Sequence, residues 1–309
     1  MRSGIALSRL ALLGVLITPL AITSSGGPQP PVEPGDLLGS TGNVGGSLID
    51  LDPATGAGSF RSNLGAFGPV TEIEFRDDGT LFASTGQGES SLITIDPETG
   101  VETLVGVHDF GSLNGLEFVG DTLYGSFFEA GAPGDDGEGS GGVFLVTVDT
   151  ATAALTPIGP SLPYDPVRGL AYDPQTGTMY GVGTPMQIPE GGGDSLFTID
   201  LGTGATTEIG ATGFSVGGLE LGPDGVLYGG ESSPPRGEGV PSARLLQINT
   251  ATGAGTAIGG TGFPAISGLT FGVGQQPSAL EVPALDAAGL VILAALLGVA
   301  GFLALARRR

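Results

Sequence analysis

Two charged side chains stand out in a set of short segments of the sequence that can be aligned with one another. Glu72 occupies a position at which four similar segments carry glycine. Arg168 lies one position earlier in its own segment, where the other segments carry threonine, asparagine, glycine or serine. A carboxylate in such a place could bind a cation or accept a hydrogen bond from a sugar hydroxyl. Because buried acids commonly have a charged partner, we expect a structural ion pair between Glu72 and Arg168, with a ligand site as the alternative.

Further candidate binding residues lie in or between these segments. Asn114 shares the column of Arg168, whereas His108, Asp109 and Asp165 lie in the connections that precede two of the segments. These polar groups could contribute to a site if the fold brings the segments together. They would supply hydrogen bonds or metal ligands to a bound molecule.

The densest acidic cluster is a candidate calcium site of a different kind. Asp135, Asp136 and Glu138 could provide some of the six to eight oxygen ligands that Ca²⁺ takes. The cluster lacks the alternating carboxylates and the closing glutamate of an EF-hand loop, so a solvated loop is the favoured interpretation. We therefore expect no cofactor, with Ca²⁺ as the alternative.

Composition excludes several classes of chemistry. The 309 residues include no Cys, no Lys and one His, which excludes disulfides, thiol nucleophiles, lysine Schiff bases and P-loops. A Ser-His-Asp triad would have to use His108. The net charge of −22 makes nucleic acid a poor partner, because phosphate binding depends on clustered basic residues.

Five repeats must position these residues. Each repeat contains a short apolar run that ends in a turn beginning with Asp or Asn. From one repeat to the next, these turns are 44 to 53 residues apart. The turns begin at Asp52, Asp96, Asp149, Asp200 and Asn249. Asp or Asn at this position is explained by turn chemistry alone, since its side chain bonds to the backbone two residues on.

Each repeat has four short strand-like segments joined by hairpin turns, which is typical of a β-propeller blade. The aligned segments, three of which contain Glu72, Asn114 and Arg168, are 70–75, 113–118, 167–172, 216–221 and 266–271. The last repeat lacks the strand that should follow residue 271, and residues 37–40 match that missing strand. The sequence therefore predicts an all-β, five-bladed β-propeller over residues 36–272, closed by pairing of N- and C-terminal strands.

The repeats resemble the broad group of NHL-like and lactonase-like propellers, in which an inner strand precedes an Asp-Gly turn and a Leu-Tyr strand. Examples here are 77–79 with 81–82 and 223–225 with 227–228. The resembling propellers usually have six blades, and the count here is five. Fold by itself does not imply function.

One face of the predicted propeller carries the long insertions. The insertions 129–142, 184–195 and 231–244 join the second and third strands of their repeats. In a four-stranded blade these loops emerge on the same face as the connections between blades. Because binding residues concentrate on loops held by a rigid scaffold, this face is the predicted binding surface, with neutral drift of the loops as the alternative.

Both ends of the chain have the sequence features of targeting segments. Arg2 and Arg9 precede an apolar run from Leu10 to Ile22, so residues 1–25 are predicted to be a signal peptide, followed by a linker at 26–35. Residues 287–306 contain no charge, and twenty helical residues reach about 30 Å, the thickness of a bilayer core. We expect a transmembrane helix there, with the basic tail 307–309 in the cytoplasm and the propeller outside it.

The segment around the predicted helix resembles the IPTL-CTERM sorting tails, relatives of PEP-CTERM signals in Gram-negative bacteria. The matching residues are Val282, Pro283, Ala284, Leu285, Gly289, Arg307, Arg308 and Arg309. Val282 stands where Ile is common, and Ala284 where Thr is common. The resemblance covers about the last 28 residues, that is, the sorting motif within the predicted linker 273–286, the helix and the basic tail. It implies delivery to the envelope by a sorting and processing machinery.

Two functions of different class follow from these observations. The favoured one is a non-enzymatic, envelope-anchored or matrix-associated propeller that binds an exopolysaccharide, another envelope protein or a cation. The alternative is a metal-dependent hydrolase, lactonase-like or glycosidase-like, that uses Glu72, Asn114 and nearby loop acids. Convergence of Glu72, Asn114, Asp109 and Asp165 on one point of the axis would favour the hydrolase.

Overall fold

The computed structural model describes residues 29–42, 46–86, 90–108, 111–129, 141–187, 193–233 and 242–273. These residues form twenty strands. In chain order they are β1 (Leu37–Ser40), β2 (Ser47–Leu51), β3 (Gly58–Asn63), β4 (Val70–Phe75), β5 (Leu81–Thr85), β6 (Ser90–Ile95), β7 (Glu102–His108), β8 (Gly111–Val119), β9 (Thr122–Glu129), β10 (Gly142–Val148), β11 (Leu155–Leu162), β12 (Tyr164–Asp173), β13 (Thr178–Pro185), β14 (Ser195–Ile199), β15 (Thr206–Ala211), β16 (Val216–Leu221), β17 (Leu227–Glu231), β18 (Arg244–Ile248), β19 (Gly255–Gly260) and β20 (Gly268–Phe271).

The strands pair into five antiparallel sheets of four, so the five-bladed propeller predicted from the repeats is confirmed. In order from the axis outward the blades are β20-β1-β2-β3, β4-β5-β6-β7, β8-β9-β10-β11, β12-β13-β14-β15 and β16-β17-β18-β19. The first strand of each blade contacts the first strand of the next, from β4 through β8, β12, β16 and β20 back to β4. These five inner strands therefore surround a central axis.

The predicted closure of the ring is also confirmed. β1 pairs antiparallel with β20, with Leu37 opposite Phe271 and Ser40 opposite Gly268. The first blade thus combines one C-terminal strand with three N-terminal strands. Pairing with β20 covers the edge of β1, which would otherwise be free to pair with another chain.

The hydrophobic core consists of five clusters, each of which lies between two neighbouring blades. Leu38 and Leu48 of the first blade, for example, pack with Ile73 and Ile93 of the second. The other four clusters join the remaining pairs of blades in the same way. Stability therefore comes from apolar faces that neighbouring blades bury between them.

The repeated turns also join the blades at their outer edges. In four of the five repeats the turn ends in a glycine with positive φ, such as Gly56 and Gly253, and in the remaining repeat it ends in Ala153 with φ 61°. Each turn packs against the outer strand of the preceding blade, next to a register shift in that strand. A Cβ at Gly253 would collide with the backbone of Gly210, and one at Gly56 with the backbone of Gly259.

Some predicted boundaries differ from the strands. β8 and β12 are longer than predicted because their bulges allow pairing to continue, with register shifts such as the one between Leu113 and Leu116. β20 begins at Gly268, two residues later than predicted. The predicted signal peptide and transmembrane helix lie outside the described residues. Within the described part of the chain, no helix is long and apolar enough to cross a membrane.

Candidate functional site

The start of the inner strands surrounds a cavity of about 250 Å³ on the propeller axis. The predicted polar column supplies part of its wall, namely Thr71, Asn114, Arg168, Gly217 and Ser267. Gly42 and Ser232, which lie at the beginning of loops between second and third strands, also line it. The cavity therefore opens on the face that carries the insertions. We call it the axial cavity.

Hydroxyl groups in the axial cavity hold neighbouring inner strands together. Thr71 donates a hydrogen bond to the Leu113 carbonyl at 2.9 Å, which joins β4 to β8. Ser267 donates to the Val70 carbonyl at 2.9 Å, which joins β20 to β4. The Oδ1 atom of Asn114 accepts a hydrogen bond from Ser112 at 2.9 Å. These contacts set the positions of the polar groups that a ligand would meet.

Arg168 is fixed in the wall of the axial cavity by Asp194, which is not among the site residues predicted from the sequence. Its Nη1 atom lies 3.2 Å from both carboxylate oxygens of Asp194. Asp194 is buried and also accepts hydrogen bonds from Thr184 Oγ1 at 2.6 Å and Val216 N at 2.7 Å. The expected ion pair between Arg168 and Glu72 is therefore wrong. Asp194 lies at the end of the insertion 184–195, 26 residues from Arg168, and no local pattern marks it.

Glu72 belongs to β4 and lies deeper along the axis, where its side chain contacts β20. Its Oε1 atom accepts hydrogen bonds from Ile73 N at 3.1 Å and Leu269 N at 3.0 Å. Its Oε2 atom is buried and has no hydrogen-bond partner among the described residues. Burial raises the pKa of Glu72 well above its usual range, and the charges of Glu74 and Glu220 add to this effect. A side chain at Gly268 would collide with this carboxylate, which explains the glycine there.

The remaining predicted residues do not line the axial cavity. His108 is buried at the end of β7, 6.0 Å from the ring of Phe127, and burial lowers its pKa. Asp165 is exposed in the first part of β12. Asp109 and the candidate calcium ligands Asp135, Asp136 and Glu138 lie outside the described residues.

The sequence contains one motif that resembles a hydrolase nucleophile elbow, Gly-Phe-Ser-Val-Gly at 213–217. Such an elbow joins a strand to a helix. Here the motif spans the turn after β15 and the first two residues of β16, and Ser215 Oγ is 3.0 Å from Ser232 Oγ. The local structure is therefore not that of a nucleophile elbow.

A second group of acids lies at the other end of the inner strands, and none of them is among the site residues predicted from the sequence. Glu74, Glu117 and Glu220 each offer a carboxylate oxygen, and these oxygens lie within 4.8 Å of one another. We call these three residues the glutamate cluster. They share one column of the inner strands, two positions after the glycine column, and the same alignment would have revealed them.

The glutamate cluster opens into a funnel on the opposite face. Glu74 and Glu117 line a cavity of about 590 Å³, together with Asp77 and Asp173 from the first-to-second-strand turns. The axis thus has a polar cavity at one end and an acidic funnel at the other. Glu72 lies between them.

Backbone groups of neighbouring blades orient these carboxylates. Glu74 accepts a hydrogen bond from the backbone of Phe118, Glu117 from that of Tyr172, and Glu220 from Phe271 N at 3.4 Å. Each contact runs from one inner strand to the next. The Oε2 atom of Glu117 is buried without a hydrogen-bond partner in the described part of the chain.

Burial dominates the electrostatics of the glutamate cluster. It raises the pKa of Glu74 to about 8, and the pKa values of Glu117 and Glu220 well above the usual range. The charge of Glu74 further raises the pKa values of the other two. Without a bound cation, these carboxyl groups hold protons near neutral pH more strongly than exposed glutamates do.

No protein-family model matches this chain, and no curated protein matches it by sequence. Among solved structures, a protein from Lactobacillus plantarum is 11% identical with a TM-score of 0.42, and the match covers 76% of this chain and 98% of that one. A protein of unknown function from Bacteroides caccae is 12% identical with a TM-score of 0.46, covering 77% and 98%. A candidate 6-phosphogluconolactonase from Bacteroides fragilis is 13% identical with a TM-score of 0.43, covering 79% and 99%.

Proposed function

We propose that the protein is a non-enzymatic binding propeller that holds a neutral saccharide unit of an exopolysaccharide in the axial cavity. The observation that carries this proposal is the lining of the cavity. Arg168, Asn114 and the hydroxyls of Thr71, Ser232 and Ser267 surround it. Sugar hydroxyls form hydrogen bonds with groups of this kind, and small pockets with a few convergent polar groups are typical ligand sites.

Charge favours a neutral ligand over an acidic one. Asp194 neutralises Arg168, the arginine that lines the axial cavity. The whole chain carries a net charge of −22, so a polyanionic polymer would meet long-range repulsion. A neutral polymer is not repelled by the net charge and needs no free positive charge in the cavity. The rigid ring of inner strands gives it a preformed site.

Calorimetric titration with defined oligosaccharides tests the binding function. The full-length chain, purified in detergent, is titrated with neutral hexasaccharides from dextran and cellulose and with an alginate hexasaccharide. Because a typical hydrogen bond contributes about 1 kcal/mol, we expect Arg168→Met and Asn114→Ala each to weaken neutral-sugar binding by about threefold to tenfold.

Arg76→Met is the matched control. Arg76 also pairs with an aspartate, Asp78, and its side chain is 32% exposed, as is that of Arg168. It lies near the opposite face, so its substitution should leave sugar binding unchanged. Equal binding by wild type and Arg168→Met would overturn the proposal, and so would turnover of a lactone or glycoside by the wild type.

We further propose that the propeller is exported and held at the envelope through the C-terminal segment. This rests on the apolar run 287–306 and the sorting-tail resemblance around Val282 and Pro283. Fractionation of a Gram-negative host that expresses the chain tests it. Full-length chain should be found in the membrane fraction, and deletion of 287–309 should release it to the periplasm. Retention of the full-length chain in the cytoplasm would contradict the export.

A further inference from the structure

We propose that the glutamate cluster is a Ca²⁺ site that ties three blades together at the acidic end of the axis. Glu74, Glu117 and Glu220 come from β4, β8 and β16, which belong to three different blades. The site is distinct from the axial cavity and independent of the saccharide proposal. It is also distinct from the loop acids Asp135, Asp136 and Glu138.

The spacing of the oxygens fits calcium. Ca²⁺ binds oxygen at about 2.3–2.6 Å, so two of its ligands lie at most about 5 Å apart. The three carboxylate oxygens lie within 4.8 Å of one another. Mg²⁺ binds at about 2.0–2.1 Å and allows at most about 4.2 Å between ligands. The spacing therefore admits Ca²⁺, and Ca²⁺ also accepts an irregular set of carboxylates and waters, whereas Mg²⁺ demands near-ideal octahedral geometry.

A second observation points to a missing ligand. The Oε2 atoms of Glu117 and Glu72 are both buried and lack hydrogen-bond partners among the described residues. The Glu117 residue is only 7% exposed, and its carboxylate interacts with those of Glu74 and Glu220. Buried polar atoms normally have a partner, because an unpaired one loses its hydration without compensation. A cation among the three glutamates would supply that partner for Glu117.

The described part of the protein offers these acids no cation of its own. Its four arginines are paired elsewhere: Arg61 with Asp50, Arg76 with Asp78, Arg168 with Asp194, and Arg244 with Glu231. Buried carboxylates without a counter-charge either bind protons or bind a metal ion.

The funnel gives an ion both access and further ligands. Glu74 and Glu117 line the open cavity of about 590 Å³, and Glu220 is only partly buried. Ca²⁺ takes six to eight oxygen ligands and accepts water among them. Three carboxylates from the protein and several waters from the funnel would complete such a coordination sphere.

Calorimetry on the full-length chain in detergent, freed of metal with a chelator, tests the site. At about pH 7.5 we expect one strong Ca²⁺ site, with weaker binding of Mg²⁺. Since the acids hold protons before the ion binds, Ca²⁺ should displace them. The binding enthalpy should therefore depend on the ionisation enthalpy of the buffer, and the affinity should rise with pH.

Isosteric variants separate this site from the alternatives. Glu117→Gln preserves the shape of a protonated glutamate, so the propeller should fold while Ca²⁺ binding weakens by about tenfold or more. The matched control is the triple change Asp135→Asn, Asp136→Asn and Glu138→Gln, which should leave binding intact. Circular dichroism confirms that each variant is folded.

Three outcomes would overturn the proposal. One is the absence of Ca²⁺ binding by the folded wild type, which would mean that the cluster holds protons only. Another is equal affinity of wild type and Glu117→Gln. The third is loss of binding in the loop variant, which would place the ion at Asp135, Asp136 and Glu138.

Discussion

Gly253, in the outer turn of the last blade, lies directly against the backbone of Gly210 in β15 of the preceding blade. Equivalent contacts recur around the ring, between the outer turn of each blade and the outer strand of the blade before it. The turn glycine has two roles here. It adopts positive φ, and it lets two backbones approach each other.

Substitution of Gly253 separates these two roles. Gly253 and Gly225 both have φ +77°, but nothing lies within 4 Å of a Cβ at Gly225. We expect Gly225→Ala to cost about 1 kcal/mol from backbone strain alone. Gly253→Ala should cost at least about 1–2 kcal/mol more, because the methyl group forces the blades apart. Urea denaturation measures the free energy of unfolding of both variants. Equal losses of stability would show that the contact between blades does not contribute to stability.

The Asp194 network should contribute more to stability than a surface ion pair. Asp194 is buried and accepts hydrogen bonds from Arg168, Thr184 and Val216 N. Asp194→Ala leaves these donors unpaired and should cost about 3 kcal/mol. Asp78→Ala, which breaks the exposed pair with Arg76, should cost at most about 1 kcal/mol. Similar free energies of unfolding for the two variants would contradict this assignment.

The stability of the metal-free protein should fall as pH rises. Burial raises the pKa of Glu74 from 4.5 to about 8 in the folded state. Between these values the folded protein holds a proton that the unfolded chain releases, so stability is full below pH 4.5 and is lost as pH approaches 8. For one proton the loss is at most about 1.4 kcal/mol per pH unit.

Thermal melts in EDTA between about pH 5 and 8 test this dependence. Glu74→Gln should make the decline shallower, because the amide does not ionise. Asp78→Asn should leave the slope unchanged, since the pKa of Asp78 lies at about 2, below the range. A wild-type melting temperature that is constant or rises across the range would contradict the raised pKa.

Closure of the ring should depend on the inner strand that the C-terminal part of the propeller contributes. Leu269 in β20 is 1% exposed and packs in the cluster between the last and first blades. Leu269→Ala should cost about 3 kcal/mol, as expected for a buried leucine. Val273→Ala, at a position that is 40% exposed just beyond β20, should cost less than about 0.5 kcal/mol. A small loss at Leu269 would show that closure contributes little to stability.

Local signals made the blades predictable. The side chains of Asp52 and Asn249 accept hydrogen bonds from the backbone two residues on, as turn chemistry predicts. Such turns end the strands at regular intervals, and the alternation of turns and apolar runs defines the strand order. The strand missing after residue 271 even identified Leu37–Ser40 as its replacement.

The candidate sites were less predictable because their residues are far apart in the chain. Arg168 was identified, but its partner Asp194 was not, since the pairing depends on how an insertion returns to the sheet. The alignment of inner strands drew attention to Glu72, the one acid in a glycine column. The same alignment places three further acids in one column, but they were not predicted as site residues. They are Glu74, Glu117 and Glu220.

The sequence by itself determined the fold class, the number of blades and the strand order, because short-range turn chemistry and strand periodicity act within each repeat. The tertiary structure alone decided which charges meet. Glu74 and Glu220 are 146 residues apart, and they approach only because five inner strands converge on one axis. Their altered pKa values follow from burial at that axis, which depends on all five blades together.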